Sequence, residues 1–217
     1  MNKKEIQKKR MMTYFIDAAD EILLEEGIKG ITIRKVADKA GYNSATIYNY
    51  FENLDHLLLF TAMRHIKDYT SALPKYLKNA NNALEEFLAI WQCFCDYSFK
   101  EPEIYYAIFF ANLNNDLKDY IVQYYRLFPE ELGSQPKNVL NMLFKHDIYE
   151  RGMAIVNKCV DEGFIKKEDA EVLNEMATLI YEGILLRVIK GKIGYDEAVK
   201  KTMKYVELTI NSLLITN

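Results

Sequence analysis

Apolar residues recur at three- and four-residue steps along nearly the whole 217-residue chain, punctuated by only four prolines and nine glycines. That rhythm gives long helices with short connections, and the period-two alternation of strands is missing. A first helix is predicted from Lys4 to Glu26, with Met11, Phe15, Ala18 and Ile22 on its inner face. Gly27 stops it, since a residue just past a helix end often takes a left-handed backbone. Thr32 caps a second helix whose inner stripe is Ile33, Val36, Ala37 and Ala40, and Gly41 ends that helix. Asn43 caps a short third helix through Tyr50. Asn53 or Asp55 opens a long fourth, with Leu57, Leu58, Ala62, Ile66 and Tyr69 inward and Pro74 near its end. Further helices are predicted over 82–99, 102–113, 116–127, 138–162, 167–190 and 195–214, with a loop from Phe128 to Lys137 and with Gly163 and Gly191 at two helix ends. The pattern describes an all-α chain: a small three-helix unit at residues 1–55 and a larger helical unit at residues 56–217.

Composition narrows the picture. Half the residues are hydrophobic, enough for a real core, yet no run of about 18 apolar residues offers a membrane span. Met1-Asn2-Lys3-Lys4 is basic, but Glu5 and Gln7 stand where a signal peptide needs apolar residues, so the expected location is the cytoplasm. Cys93, Cys95 and Cys159, odd in number and set among apolar residues, read as reduced core thiols. The net charge of −3 argues on its own against a nucleic-acid binder, but its distribution does not. Lys3, Lys4, Lys8, Lys9 and Arg10 face a single acid, Glu5, at the N-terminal tip, and residues 1–56 balance nine bases against nine acids. A basic arm on an acidic body suits DNA binding at one end.

Residues 32–50 set two short helices around Gly41-Tyr42-Asn43, the arrangement of a helix-turn-helix. The second of these is short and open enough to enter a major groove about 12 Å wide. Ile47 and Phe51, four apart, point back to the core. Ser44, Ala45, Thr46, Tyr48 and Asn49 then face outward with donors and acceptors suited to phosphates and base edges. The run from Gly30 to Phe51, with its Thr32 cap, Val36-Ala37, Ala40-Gly41, Thr46-Ile47-Tyr48 and Tyr50-Phe51, closely resembles the DNA-binding signature of the TetR (tetracycline-repressor-like) family, a likeness covering about residues 8–60. The resemblance implies a three-helix DNA-binding head followed by a helical ligand-binding and dimerisation domain. It assigns Thr32, Tyr48 and Asn49 to phosphates, and Arg34, Tyr42, Ser44 and Thr46 to positions at or near base edges, with Asn43 as the cap. Ala45 replaces a common glycine. Leu54 replaces a lysine common at the start of the fourth helix, which removes one phosphate contact; Lys39 and the Lys8-Lys9-Arg10 cluster are candidates to compensate.

Beyond residue 80, large rings accumulate. More of them occur than a thin helical layer can bury, which points to an apolar small-molecule pocket. Its expected lining is Trp91, Phe94, Tyr97, Tyr105, Phe109, Tyr124, Met153 and Tyr181, with Asn112, Glu150 and Asn157 as candidate anchors for a small hydrophobic or aromatic effector. Two apolar faces on the helices near 138–162 and 167–190, including Gly152, Ile155, Val156 and Cys159 on the first and Met176, Gly183 and Leu186 on the second, point to a homodimer. His56, His65 and His146 form no ligand set with a cysteine or carboxylate, and phosphate loops, nucleophile elbows and zinc motifs are absent, so neither an enzyme, a cofactor nor a metal is expected. The function expected is a ligand-responsive repressor, released by its effector from a palindromic DNA operator. The alternatives are a DNA-binding organiser or activator without an inducer, and a helical enzyme with a hydrophobic pocket.

Overall fold

The structure, a computed structural model, describes residues 3–110, 117–145 and 147–215. Asn112 and His146 lie outside the described residues. The helices are α1 (Lys3–Glu26), α2 (Ile33–Ala40), α3 (Ser44–Ile47), α4 (Leu54–Leu77), α5 (Ala83–Ser98), α6 (Pro102–Phe109), α7 (Leu117–Leu127), α8 (Lys137–Leu143), α9 (Ile148–Asp161), α10 (Ala170–Ile189) and α11 (Tyr195–Leu213). Among the described residues the extended pairing is a single bridge between Ile165 and Leu214, so the chain is all-α. No described helix is long and apolar enough to cross a membrane.

The N-terminal helices pack α1 against both α2 and α4. Serving two neighbours widens the buried stripe of α1 to Met12, Phe15, Ile16, Ala19, Ile22 and Leu23. Met12 therefore takes the core position expected of Met11, which is half-buried. Leu58 on α4 is likewise half-buried, while Leu57, Leu59 and Phe60 are sealed. Helix α4 has 24 residues, about 36 Å at 1.5 Å per residue. It packs on α1 at the head and on α5, α6 and α7 in the larger unit.

In the larger unit, two predicted helices differ from the expectation. The predicted helix 102–113 ends at Phe109, with Phe110 leaving helical geometry as its cap. The predicted helix 138–162 is two helices, α8 and α9. The break is built by polar groups that periodicity does not register. The Asp147 side chain accepts from the Glu150 N–H at 2.6 Å and starts α9. One turn on, Arg151 donates from Nε to the Lys145 carbonyl (3.0 Å) and from Nη2 to the Leu143 carbonyl (3.1 Å), satisfying the end of α8.

The face of α9 expected at a dimer interface is used inside the chain. Gly152, Ile155, Val156 and Cys159 are buried, where α9 packs between α5 and α10. A Cβ at Gly152 would sit 1.9 Å from Asn174 Oδ1, so the glycine serves close packing within one chain. Large exposed apolar side chains of the larger unit include Val172, Met176 and Leu179 on α10, Tyr205 and Leu208 on α11, and Tyr149 at the start of α9. All three cysteines are free and buried, as expected.

Candidate nucleic-acid interface

Helix α2 is fixed at both ends by local chemistry. Thr32 is extended, and its hydroxyl accepts from the Lys35 N–H at 3.2 Å. Gly41 sits at φ 72°, the left-handed region that favours glycine. Its N–H donates to the Asp38 carbonyl (3.2 Å) while the Tyr42 N–H reaches the Ala37 carbonyl (2.9 Å). This pair of bonds closes the helix and turns the chain sharply toward α3.

Asn43 then opens α3. Its Oδ1 accepts both the Thr46 N–H (2.9 Å) and the Thr46 hydroxyl (3.0 Å). The helix proper spans four residues, shorter than the expected run to Tyr50; the turn continues as Tyr50 and Phe51 N–H groups donate to the Ile47 carbonyl, each at 2.9 Å. Ile47 and Phe51 are buried as expected and pin this segment to the core. Tyr42 sets its ring edge-on against Phe15 (5.4 Å) and Tyr14 (5.9 Å), which fixes it on the α1 side of the turn.

The outer face follows from these anchors. Ala45, Tyr48 (57 % exposed) and Asn49 are exposed, and Ser44 and Thr46 half-exposed. The Arg34 side chain is 90 % exposed, its Nε 3.8 Å from Asp38 Oδ2, a loose pair that leaves the guanidinium accessible. Lys39 does not share this face: it bonds Glu21 (3.0 Å) and Glu25 (3.1 Å) on α1, which hold its pKa above the usual lysine value. Lys9 is also engaged, with Glu130 at 2.6 Å and over the Phe128 ring. Lys4 and Lys8 instead line a groove shared with Asn49 and Tyr50. Lys4 belongs to the basic N-terminal arm but not to the Lys8-Lys9-Arg10 cluster expected to compensate for Leu54; tertiary packing of the first turn of α1 brings it beside Lys8.

Three elements meet at His65, whose Nε2 lies 2.7 Å from Asp20 Oδ1 on α1 and whose Nδ1 lies 3.0 Å from Glu101 Oε1 at the start of α6. These hydrogen bonds, Glu101 foremost, hold its pKa above the usual histidine value. His56, in contrast, is buried and stacked on Tyr120 at 4.0 Å. Burial pushes its pKa down to about 4. Its Nδ1 accepts the Glu52 N–H at 3.2 Å, so the ring proton belongs on Nε2.

In the larger unit, a cavity of about 30 Å³ is lined by Tyr69, Ile90, Trp91, Phe94, Met142, Ile148, Arg151, Gly152 and Ile155. Of the eight residues expected to line a pocket, Trp91 and Phe94 border it. Phe109, Tyr105 and Tyr181 form the ring layer behind Phe94, at 5.4, 5.7 and 4.9 Å. Tyr97, Tyr124 and Met153 are not among its lining. Tyr124 instead donates to Glu131 at 2.5 Å beside the Phe60 ring. Asn157 is exposed. Arg151, which periodicity gave no reason to place inside, is the charged group of the lining.

Residues 15–59 match the family described as bacterial regulatory proteins, tetR family. A fatty acid metabolism regulator protein of Bacillus subtilis is 27% identical over 84 residues, 39% of this chain and 43% of that protein. An HTH-type transcriptional regulator of Haemophilus influenzae is 29% identical over 75 residues, 35% of this chain and 40% of that protein. The match thus spans about two fifths of the length of these curated relatives. The fold likeness extends further. FadR of Thermus thermophilus, a TetR family transcriptional repressor solved with lauroyl-CoA, superposes with a TM-score of 0.58 at 14% identity, covering 95% of this chain and 96% of that one. The head thus carries the signature of the tetR family of bacterial regulatory proteins over residues 15–59, and the whole chain shares the all-helical fold of the FadR structure.

Proposed function

We propose that this chain is a cytoplasmic, ligand-responsive transcriptional repressor that binds a palindromic operator as a homodimer and leaves it when a small, largely hydrophobic effector binds. The observation that carries the reading is the capped α2–turn–α3 unit, with Arg34, Tyr48 and Asn49 exposed. In this reading α3 enters the major groove. Thr32, Tyr48 and Asn49 hold phosphates, Arg34, Tyr42, Ser44 and Thr46 lie at or near base edges, and Asn43 orders the helix. Lys4 and Lys8, beside Asn49, replace the phosphate contact that Leu54 lacks. The exposed apolar stripes of α10 and α11 supply the two-fold interface, a four-helix arrangement.

Coupling follows the packing. Phe94 at the cavity touches Phe109 and Tyr105 on α6, Glu101 at the start of α6 bonds His65 on α4, and His65 bonds Asp20 on α1. An effector changes operator affinity only through unequal affinity for two head arrangements. A tilt of α4 by about 5° would move its head end by about 3 Å over its length. Gel shifts on DNA flanking the coding sequence, at stepped salt, test the reading. Tight duplex binding that weakens in Arg34→Ala and Tyr48→Phe is expected; unchanged binding in both places the reading face elsewhere. Hydrophobic compounds, acyl derivatives first in view of the named relatives, then separate an inducible repressor from a regulator without an inducer.

A further inference from the structure

Arg151 is 6 % exposed, yet no carboxylate of the described residues pairs with it. Its Nε and Nη2 are spent on the carbonyls ending α8, the Phe109 ring lies 4.9 Å from the guanidinium carbon, and Nη1 has no hydrogen-bond partner. Arginine is seldom buried so deeply without an ion pair, because an uncompensated guanidinium loses its hydration. The two carbonyls and the ring offset part of that cost and leave one edge of the planar fork unanswered.

That group lies in the lining of the cavity, whose other members are almost all apolar: Ile90, Trp91, Phe94, Met142, Ile148 and Ile155. Burial raises the Tyr125 hydroxyl to about 12, and Arg151 acts against that rise there and at Tyr69. A group complementary to the lining has an apolar body and one anionic head, and a carboxylate matches the flat guanidinium edge better than a neutral hydroxyl or thioester.

We propose that the cavity binds an apolar monocarboxylate, a free acid whose head pairs with Arg151 and whose body lies against Trp91 and Phe94. This deepens the effector reading above and rests on it for its regulatory meaning, though not for binding. A volume of about 30 Å³ accepts little more than water, so an acid of several carbons must displace the Trp91 and Phe94 rings. Phe94 contacts α6 through Phe109, so occupancy at Arg151 reaches the coupling path by packing alone.

Trp91 is the sole tryptophan of the chain, so its emission reports this cavity. The full-length protein is titrated with octanoate, 3-phenylpropanoate, their matched primary alcohols and octanoyl-coenzyme A, following Trp91 fluorescence and heat. The acids are expected to shift the emission and to bind at least about 10-fold tighter than the alcohols. Arg151→Gln is expected to abolish that preference, with Arg151→Lys, which keeps charge but not the fork, intermediate. Equal binding of acid and alcohol, binding of the thioester alone, no binding of either acid, or a preference that survives in Arg151→Gln would each overturn the proposal. Where Arg151→Gln does not fold, the wild-type acid-to-alcohol ratio and Arg151→Lys decide. Gel shifts on the same samples keep the two readings apart: protein that binds acids but no duplex refutes the regulator and leaves the acid site standing.

Discussion

Asn43 offers a direct test of how the reading helix is held. Its Oδ1 takes two donors from Thr46, and the helix it opens has only four residues before the turn to Phe51. Asn43→Ala removes both bonds at once. Loss of an N-cap costs about 1 kcal/mol, within a range of about 0.5–2. For a chain of this size that corresponds to a fall in Tm of about 2–4 °C. If the cost falls locally on α3, each head of a dimer binds about 1 kcal/mol more weakly, and two heads together lose about 30-fold in operator affinity. Asn43→Ser keeps a capping oxygen and should restore both stability and binding. Asn43→Asp keeps the cap but adds a negative charge toward phosphate, so stability should hold while DNA affinity falls. The measurements are thermal unfolding by circular dichroism and operator titration by fluorescence anisotropy at fixed salt. An Ala variant that melts and binds like the wild type would refute the capping argument. A Ser variant that melts normally but binds as poorly as Ala would show that the amide touches DNA itself.

The two described histidines should act on stability in opposite directions. His56, lowered to about 4 by burial, stays neutral in the folded chain while the unfolded chain takes up a proton near pH 6.5. Its contribution is therefore present above that pH and is lost as pH falls toward 4, by about 3 kcal/mol in all. Urea unfolding of His56→Gln should show a flatter acid limb than the wild type. His65, raised by Glu101 and Asp20, stabilises fully below pH 6.5 and loses that contribution as pH rises through its folded value. His65→Gln should then lower stability more at pH 6 than at pH 9, and an equal loss at both would mean the ring is not charged between its two carboxylates. Gly152→Ala forces a methyl against the buried Asn174 amide, so a loss of about 1–3 kcal/mol is expected by denaturant titration. Leu179→Glu with Leu208→Glu, on the exposed stripes of α10 and α11, should yield a monomer in sedimentation velocity at micromolar concentration; a persistent dimer would locate the interface elsewhere.

Local chemistry explains why the head was legible in sequence. Thr32, Gly41, Asn43, Ile47 and Phe51 act within a few residues of themselves, through caps, a left-handed turn and a four-residue step. The larger unit was legible as helices but not in its details. Asp147 and Arg151 split one apolar rhythm into α8 and α9 through hydrogen bonds that periodicity does not carry. The face of α9 looked surplus because the partner that covers it, Asn174 on α10, is distant in sequence. Arg151 is held inside by two carbonyls and the Phe109 ring, contacts that periodicity likewise does not carry. Lys39 and Lys9, proposed as substitutes for a lysine at position 54, are claimed by acids on α1 and just after α7.

The buried thiols carry a practical consequence. Cys93, Cys95 and Cys159 are sealed in the core, and burial raises the pKa of each, Cys159 to about 12. Thiolates are the reactive form, so at neutral pH these sites are slow toward alkylating probes. A cysteine placed at exposed Ala45 would then be the one readily labelled position per chain. A spin label or dye pair there would measure the separation of two reading helices in solution, with and without an acid in the cavity, against a background the fold itself keeps silent.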